Sequence, residues 1–151
     1  MDFELVTPRT EEEFEVYYRL RYERLRKEFG LAAGVEREHP AEAGSTHLIA
    51  KVGDRVVGAA TWAIGMNERD GKRTLYVRYR HLAIEPEFEG LGIGSAMSRY
   101  VEDRGREIGA TEIVGNVRIH NVEYFKKLGW VVLGEGETLY GLEHVSMAKP
   151  L

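Results

Sequence analysis

Three glycines spaced two apart, Gly90, Gly92 and Gly94, stand between an apolar run ending at Ile84 and the amphipathic helical stretch that carries Ala96, Met97, Tyr100 and Val101. Without a Cβ the backbone can turn sharply and approach a ligand, and the first N–H groups of the helix that follows point outward at its positive end. That combination suits a pyrophosphate. A phosphate loop of the NTPase kind would need Lys and then Ser/Thr after its last glycine, whereas Ser95 and Ala96 follow Gly94. A dinucleotide fingerprint would read Gly-x-Gly-x-x-Gly early in the chain, with an acid about twenty residues on. Neither spacing is met. A glycine-rich turn that holds no ligand is the plain alternative.

The spacing Glu89-Gly90-Leu91-Gly92-Ile93-Gly94 resembles the signature of the GNAT superfamily of acyl-CoA-dependent N-acyltransferases, Gln/Arg-x-x-Gly-x-Gly/Ala at the start of a helix. A second block of that family, an aromatic pair, two residues and then apolar-Gly-aromatic, is matched by Tyr124-Phe125-Lys126-Lys127-Leu128-Gly129-Trp130. The resemblance implies an α/β fold with a mixed, mostly antiparallel central sheet flanked by helices and a V-shaped splay between the central strands. It also implies where acetyl-CoA would lie, as acyl donor. Backbone groups of Leu82, Ala83 and Ile84 would meet the pantetheine arm, and Glu89, Gly90, Leu91, Gly92, Ile93, Gly94 and Ser95 would form the pyrophosphate cradle. Asn116 and Arg118 would hold the arm or the nucleotide phosphates, or else cap a helix.

Two positions depart from the family pattern. Glu89 is an acid where Gln or Arg is usual, a repulsion on the order of 1 kcal/mol that N–H donors with Arg80 or Arg118 are expected to exceed. Phe125 stands where the family has its usual acid, a tyrosine, so the neighbouring Tyr124 either serves from a shifted register or packs on the sheet. For the base, His144, Glu85 and His81 lie at expected strand ends, and an imidazole best matches proton uptake near neutrality. Each has a structural alternative: Glu85 as a solvated residue before Pro86, His81 as a satisfied half-buried histidine, His144 as a sheet residue paired with a tyrosine. Arg19, Arg21, Arg24 and Arg26 read as a solvated helix face that could favour an anionic acceptor.

Composition agrees with one enzyme-sized domain spanning 1–151, since 43% hydrophobic and 10% aromatic content can furnish a core. A net charge of −4 argues against a general nucleic-acid binder. With no cysteine and five dispersed histidines, no metal is expected. The opening Met1-Asp2-Phe3-Glu4 is not leader-like and no long apolar run follows, so a cytoplasmic protein with no membrane partner is expected. The function expected is N-acetyl transfer from acetyl-CoA to a primary amine, with a homodimer allowed for. The alternatives are a noncatalytic acyl-CoA-binding module and a transferase of longer acyl chains.

The elements that must position these groups follow from pattern. Thr10-Glu11-Glu12-Glu13 is a capping box opening a helix that turns Phe14, Tyr18, Leu25 and Phe29 inward and ends by Gly30. A connector over 31–45 reads as a lid. Gly53-Asp54 joins strands His47–Val52 and Arg55–Ile64 in a hairpin, and residues 65–71 turn the chain into a strand Arg73–Ile84. The helix after the cradle buries Ile93, Met97, Val101 and Ile108 and wets Arg99, Glu102 and Arg106. A strand Glu112–Gly115, a helix Val117–Leu128, a strand Val131–Leu133 and a strand Tyr140–Met147 complete the order β-α-β-β-β-α-β-α-β-β.

Overall fold

A computed structural model describes residues 2–32, 42–138 and 141–151. Its elements are β1 (Glu4–Val6), α1 (Glu11–Leu25), β2 (Thr46–Val52), β3 (Arg55–Arg69), β4 (Lys72–Ile84), α2 (Ile93–Glu107), β5 (Ala110–Arg118), α3 (Val122–Lys127), β6 (Val131–Glu135) and β7 (His144–Pro150). This is the expected order. The proposed lid falls mostly outside the described residues. No described helix is long and apolar enough to cross a membrane.

Local chemistry starts the elements where expected. The Glu13 N–H donates to the Thr10 hydroxyl at 3.0 Å while the Glu13 carboxylate accepts from the N–H groups of Thr10 and Arg9, which closes the capping box. Gly53, at φ 60°, turns β2 into β3. The next hairpin corrects the expected loop over 65–71. β3 continues to Arg69 and the chain reverses only at Asp70 and Gly71, both at positive φ (53° and 76°), the backbone of a type I′ turn, for which Asp-Gly is a strong signal.

The strands run in the order β1-β2-β3-β4-β5-β7-β6. Among the ladders with described register all are antiparallel except β4–β5, which is parallel. That parallel ladder extends only from Leu75–Ala110 to Arg78–Val114, although β4 continues to Ile84 and β5 to Arg118. β5 is longer than expected at the expense of the following helix. Pairing of Glu112–Arg118 with Pro150–His144 of β7 takes residues 116–118 into the sheet, and α3 begins only at Val122.

Contacts divide the chain into two compact units, Met1–Ala63 with His81–Tyr100, and Ile64–Arg80 with Val101–Leu151. The first has a core of Tyr17, Leu20, Ile49, Val56, Ala59 and Ala83, with Phe14, Tyr18 and Leu25 packed at its edge. The side chains that α1 buries fully are therefore Tyr17, Leu20 and Arg21, while Phe29 is exposed. In the second, Ile113, Val117, Trp130 and Met147 are buried, and Phe125 meets Trp130 edge to face at 5.2 Å. Glu102 is buried rather than wet, because Lys149 Nζ reaches its carboxylate at 2.7 Å. Ile108, expected inward, is exposed.

Candidate acyl-transfer site

In the first unit the chain leaves β4 through a single 3-10 turn, Pro86–Phe88, and enters α2 across the glycine cluster. Gly90 and Gly92 take φ of 76° and 85°, and a Cβ on either would meet nothing within 4 Å. The left-handed backbone, not crowding, is what calls for glycine there. Gly94 is not at positive φ and lies inside α2. The Ala96 N–H bonds the Gly92 carbonyl at 3.0 Å, so the N–H groups of Ile93, Gly94 and Ser95 precede the first intrahelical bond of a 15-residue helix. The helix is held close by Gly58 of β3. A Cβ there would stand 2.9 Å from Met97 Sδ and 3.2 Å from Ile84 Cδ1.

Glu89 is paired. Arg24 Nη2 of α1 donates to its carboxylate at 2.7 Å, with both side chains partly in water. Arg24 therefore offsets the acid at the first cradle position, the role expected of Arg80 or Arg118. No local sequence signal could show this, since the partners are 65 residues apart. Glu85 is engaged structurally: its N–H bonds the Val57 carbonyl at 2.8 Å, and Arg55, which also pairs with Glu87, lies 3.9 Å from its carboxylate. His81, directly before Leu82, is held at φ 61°, a strained conformation for a residue with a Cβ. Its Nδ1 lies 2.9 Å from the hydroxyl of the buried Thr61, so the satisfied half-buried histidine is what the structure shows.

The arginines of α1 do not form one solvated face. Arg21 is fully buried, with Nη1 and Nη2 donating to the two oxygens of Glu42 at 2.8 and 3.1 Å and its guanidinium stacked 5.2 Å from the Tyr17 and Tyr18 rings. Arg26 is buried as well. Burial works against the Glu42 carboxylate, but Arg21 and the Tyr18 hydroxyl outweigh it and hold its pKa below the ordinary value. The Tyr17 hydroxyl lies 2.8 Å from His47 Nδ1. Burial pushes the Tyr17 pKa well up and the His47 pKa down.

In the second unit Arg118 faces His144 and Asn116 faces Ser146 in the β5–β7 ladder. Directly opposed residues and alternate residues share a sheet face, so Asn116, Arg118, His144 and Ser146 lie together. Among the described residues His144 has no tyrosine partner. Its Nδ1 lies 2.9 and 3.1 Å from the carbonyls of Leu142 and Glu137. Carbonyl oxygens only accept, so Nδ1 is the donor, and in the neutral ring Nε2 is the nitrogen left as acceptor. Gly136 lets its segment approach: its N–H donates to the His144 carbonyl at 2.9 Å, and a Cβ would stand 2.9 Å from Asn116 Oδ1. Tyr124 does not pack as core. Phe125 takes the buried place against Trp130, and Tyr124 is left 39% exposed with its ring edge-on to Phe125, which the 100° step between neighbouring helical residues explains.

A model of the acetyltransferase (GNAT) domain matches residues 8–151. The chain belongs to the GNAT acetyltransferase family. By that membership it is an N-acetyltransferase. It is 27% identical over 145 residues to an uncharacterized N-acetyltransferase, YjcF, of Bacillus subtilis strain 168, covering 95% of this chain and 97% of that protein. In fold this GNAT chain is similar to an aminoglycoside 6'-N-acetyltransferase complexed with coenzyme A (TM-score 0.74, 16% identity, 99% and 97% of the two chains). It is likewise similar to Arabidopsis thaliana Naa50 in complex with a bisubstrate analogue, CoA-Ac-MVNAL (TM-score 0.71, 18% identity, 100% of each chain).

Proposed function

We propose that this GNAT chain, working as one functional domain, moves an acetyl group from acetyl-CoA to a primary amine of a small molecule or protein, by direct attack in a ternary complex. The observation that carries the reading is the cradle: left-handed Gly90 and Gly92 with open space where a Cβ would stand, ahead of outward-pointing helix N–H groups. These features fit a pyrophosphate. The coenzyme A in the two structural relatives agrees with a CoA-type cosubstrate.

In this reading the backbone from Leu82 through Ala83 to Ile84 pairs with the pantetheine arm. Glu89, Gly90, Leu91, Gly92, Ile93, Gly94 and Ser95 surround the pyrophosphate, and Arg24 keeps the Glu89 charge from opposing it. Asn116 and Arg118 are the polar groups assigned to the arm or the phosphates. Bound acetyl-CoA would supply the thioester whose acyl carbon is attacked. His144 takes the ammonium proton on Nε2, its tautomer set by the carbonyls at Nδ1. The exposed Tyr124 hydroxyl is the donor for the departing sulfur. Glu85, held by Arg55, serves as the base only through water.

Calorimetric titration with acetyl-CoA tests the reading, run in parallel on a Gly92→Glu, Gly94→Glu variant. Saturable binding by the parent and none by the variant is expected. Absence of binding by the parent at millimolar ligand would return the glycines to a structural turn. Amine-dependent release of CoA thiol then reports turnover, against low background because the chain has no cysteine.

A further inference from the structure

β4 carries arginines at alternate positions, Arg78 and Arg80, separated by the buried Tyr79 and preceded by the buried Val77. Val77 faces α2, since a Cβ on Gly105 of that helix would stand 2.6 Å from Val77 Cγ2. Tyr76, Arg78 and Arg80 therefore point to the opposite face of the sheet. Register carries that face across the unit. Arg78 is opposite Val114, Val114 opposite Ala148, Asn116 opposite Ser146, and Arg118 opposite His144. Three guanidiniums, an amide, a hydroxyl and the His144 imidazole thus occupy one face of β4, β5 and β7.

All three arginines are half-buried, so each has given up part of its hydration. Arg78 lies 5.9 Å from the Tyr76 ring centroid. Burial and the like charge of Arg78 both act against the Arg80 guanidinium, and Glu137 only partly offsets them. Glu112, opposite Tyr76, is an acid that shares this face. In a chain whose net charge is −4, three partly desolvated like charges on one face are stabilised by an anion that presents two oxygens to their forks.

We infer that this face binds the acceptor, and that the acceptor is an amine carrying an oxyanion, a carboxylate or a phosphate, held by Arg78 and Arg80 while His144 takes the proton from its amino group. The inference deepens the reading above and rests on it for the role of His144. It moves acceptor selectivity from α1, where Arg21 is consumed by Glu42, to β4.

Matched acceptors test it: glycine against glycinamide, and O-phosphoethanolamine against ethanolamine, with acetylated product read by mass. Guanidinium–oxyanion bonds of this kind favour the charged member on the order of tenfold to a hundredfold in kcat/KM. Arg80→Ala and Arg78→Ala should raise KM for the charged members and erase the preference, and Arg80→Lys should recover part of it. Which pair shows the preference tells carboxylate from phosphate. Equal use of both members, or a fall in acetyl-CoA affinity in the arginine variants, would overturn the inference, the latter by giving the cluster to the donor. Binding is read separately by calorimetry with N-acetylglycine and N-acetylphosphoethanolamine against their uncharged counterparts, on protein checked for a native melting transition. Selective binding of the anions, lost in Arg78→Ala/Arg80→Ala, supports the anion site even if acetyl-CoA fails to bind, an outcome that would count against the donor reading alone. No anion binding and no charged-acceptor preference would sink the inference while leaving any acetyl-CoA binding intact.

Discussion

Replacing Arg21 by Ala should unfold this protein far more readily without altering which amines it accepts. The side chain is fully buried, and its two nitrogens bond the two Glu42 oxygens at 2.8 and 3.1 Å, with Glu42 itself only 12% exposed. The same Nη1 donates to the Tyr17 hydroxyl at 3.2 Å. Among the described residues, removing it leaves the nearly buried Glu42 carboxylate with the Tyr18 hydroxyl and a 3.8 Å approach to His47. Breaking one side of a buried pair costs about 3–5 kcal/mol, and lost contact with two aromatic rings adds to it. At this chain length that lowers the melting midpoint by about 8–15 °C. Urea denaturation measures the change, and the double variant Arg21→Met/Glu42→Leu should recover most of it, since an apolar pair of similar volume removes both charges together. A loss below about 1 kcal/mol for Arg21→Ala, or a double variant no better than the single one, would show that the pair is not stabilised as argued.

Arg24→Ala should expose the cradle to an uncompensated Glu89 and weaken acetyl-CoA binding by about twofold to fivefold, as expected for a partly exposed pair; Arg24→Ala/Glu89→Gln should restore it, and the gap should shrink in high salt. Because the His47 pKa lies below 6.5 in the fold, the folded state binds fewer protons than the unfolded one. The stability this group contributes is complete above pH 6.5 and is lost as pH falls toward the lowered value. His47→Gln should flatten melting curves between pH 7 and 5. Gly92→Ala forces a Cβ into φ 85° and should cost about 1–2 kcal/mol in urea unfolding, whereas Gly94→Ala, in helical backbone, should cost nothing or gain up to about 1 kcal/mol. Equal losses at the two sites would refute the division of roles within the cradle.

Short-range chemistry was legible in the residues. The capping box at Thr10 and Glu13, the Gly53-Asp54 hairpin and the glycine cluster at the start of α2 each depend on neighbours within four positions, and each stands in the structure where the sequence puts it. So does the order of strands and helices, which follows from alternating periodicities. The reversal at Asp70-Gly71 is equally local in character, set by that dipeptide rather than by a turn from Gly65.

Tertiary structure alone decided the rest. The end of β5 depends on β7, whose ladder outweighs the helical pattern from Val117 onward. Arg21 and Arg24 look alike on one helix, yet Glu42 buries the first and Glu89 draws the second to the cradle. Of the two alternatives for Tyr124 the surface one holds, because Phe125 takes the packing position that Trp130 offers. The arginines of β4 become one surface with His144 only through the register of three strands. A sequence determines what lies within a turn or two of each residue, because those contacts need no further chain entropy to form. Partners 20 to 65 residues away are chosen by the folded chain, and the chemistry of a charged side chain is set by that choice of partner.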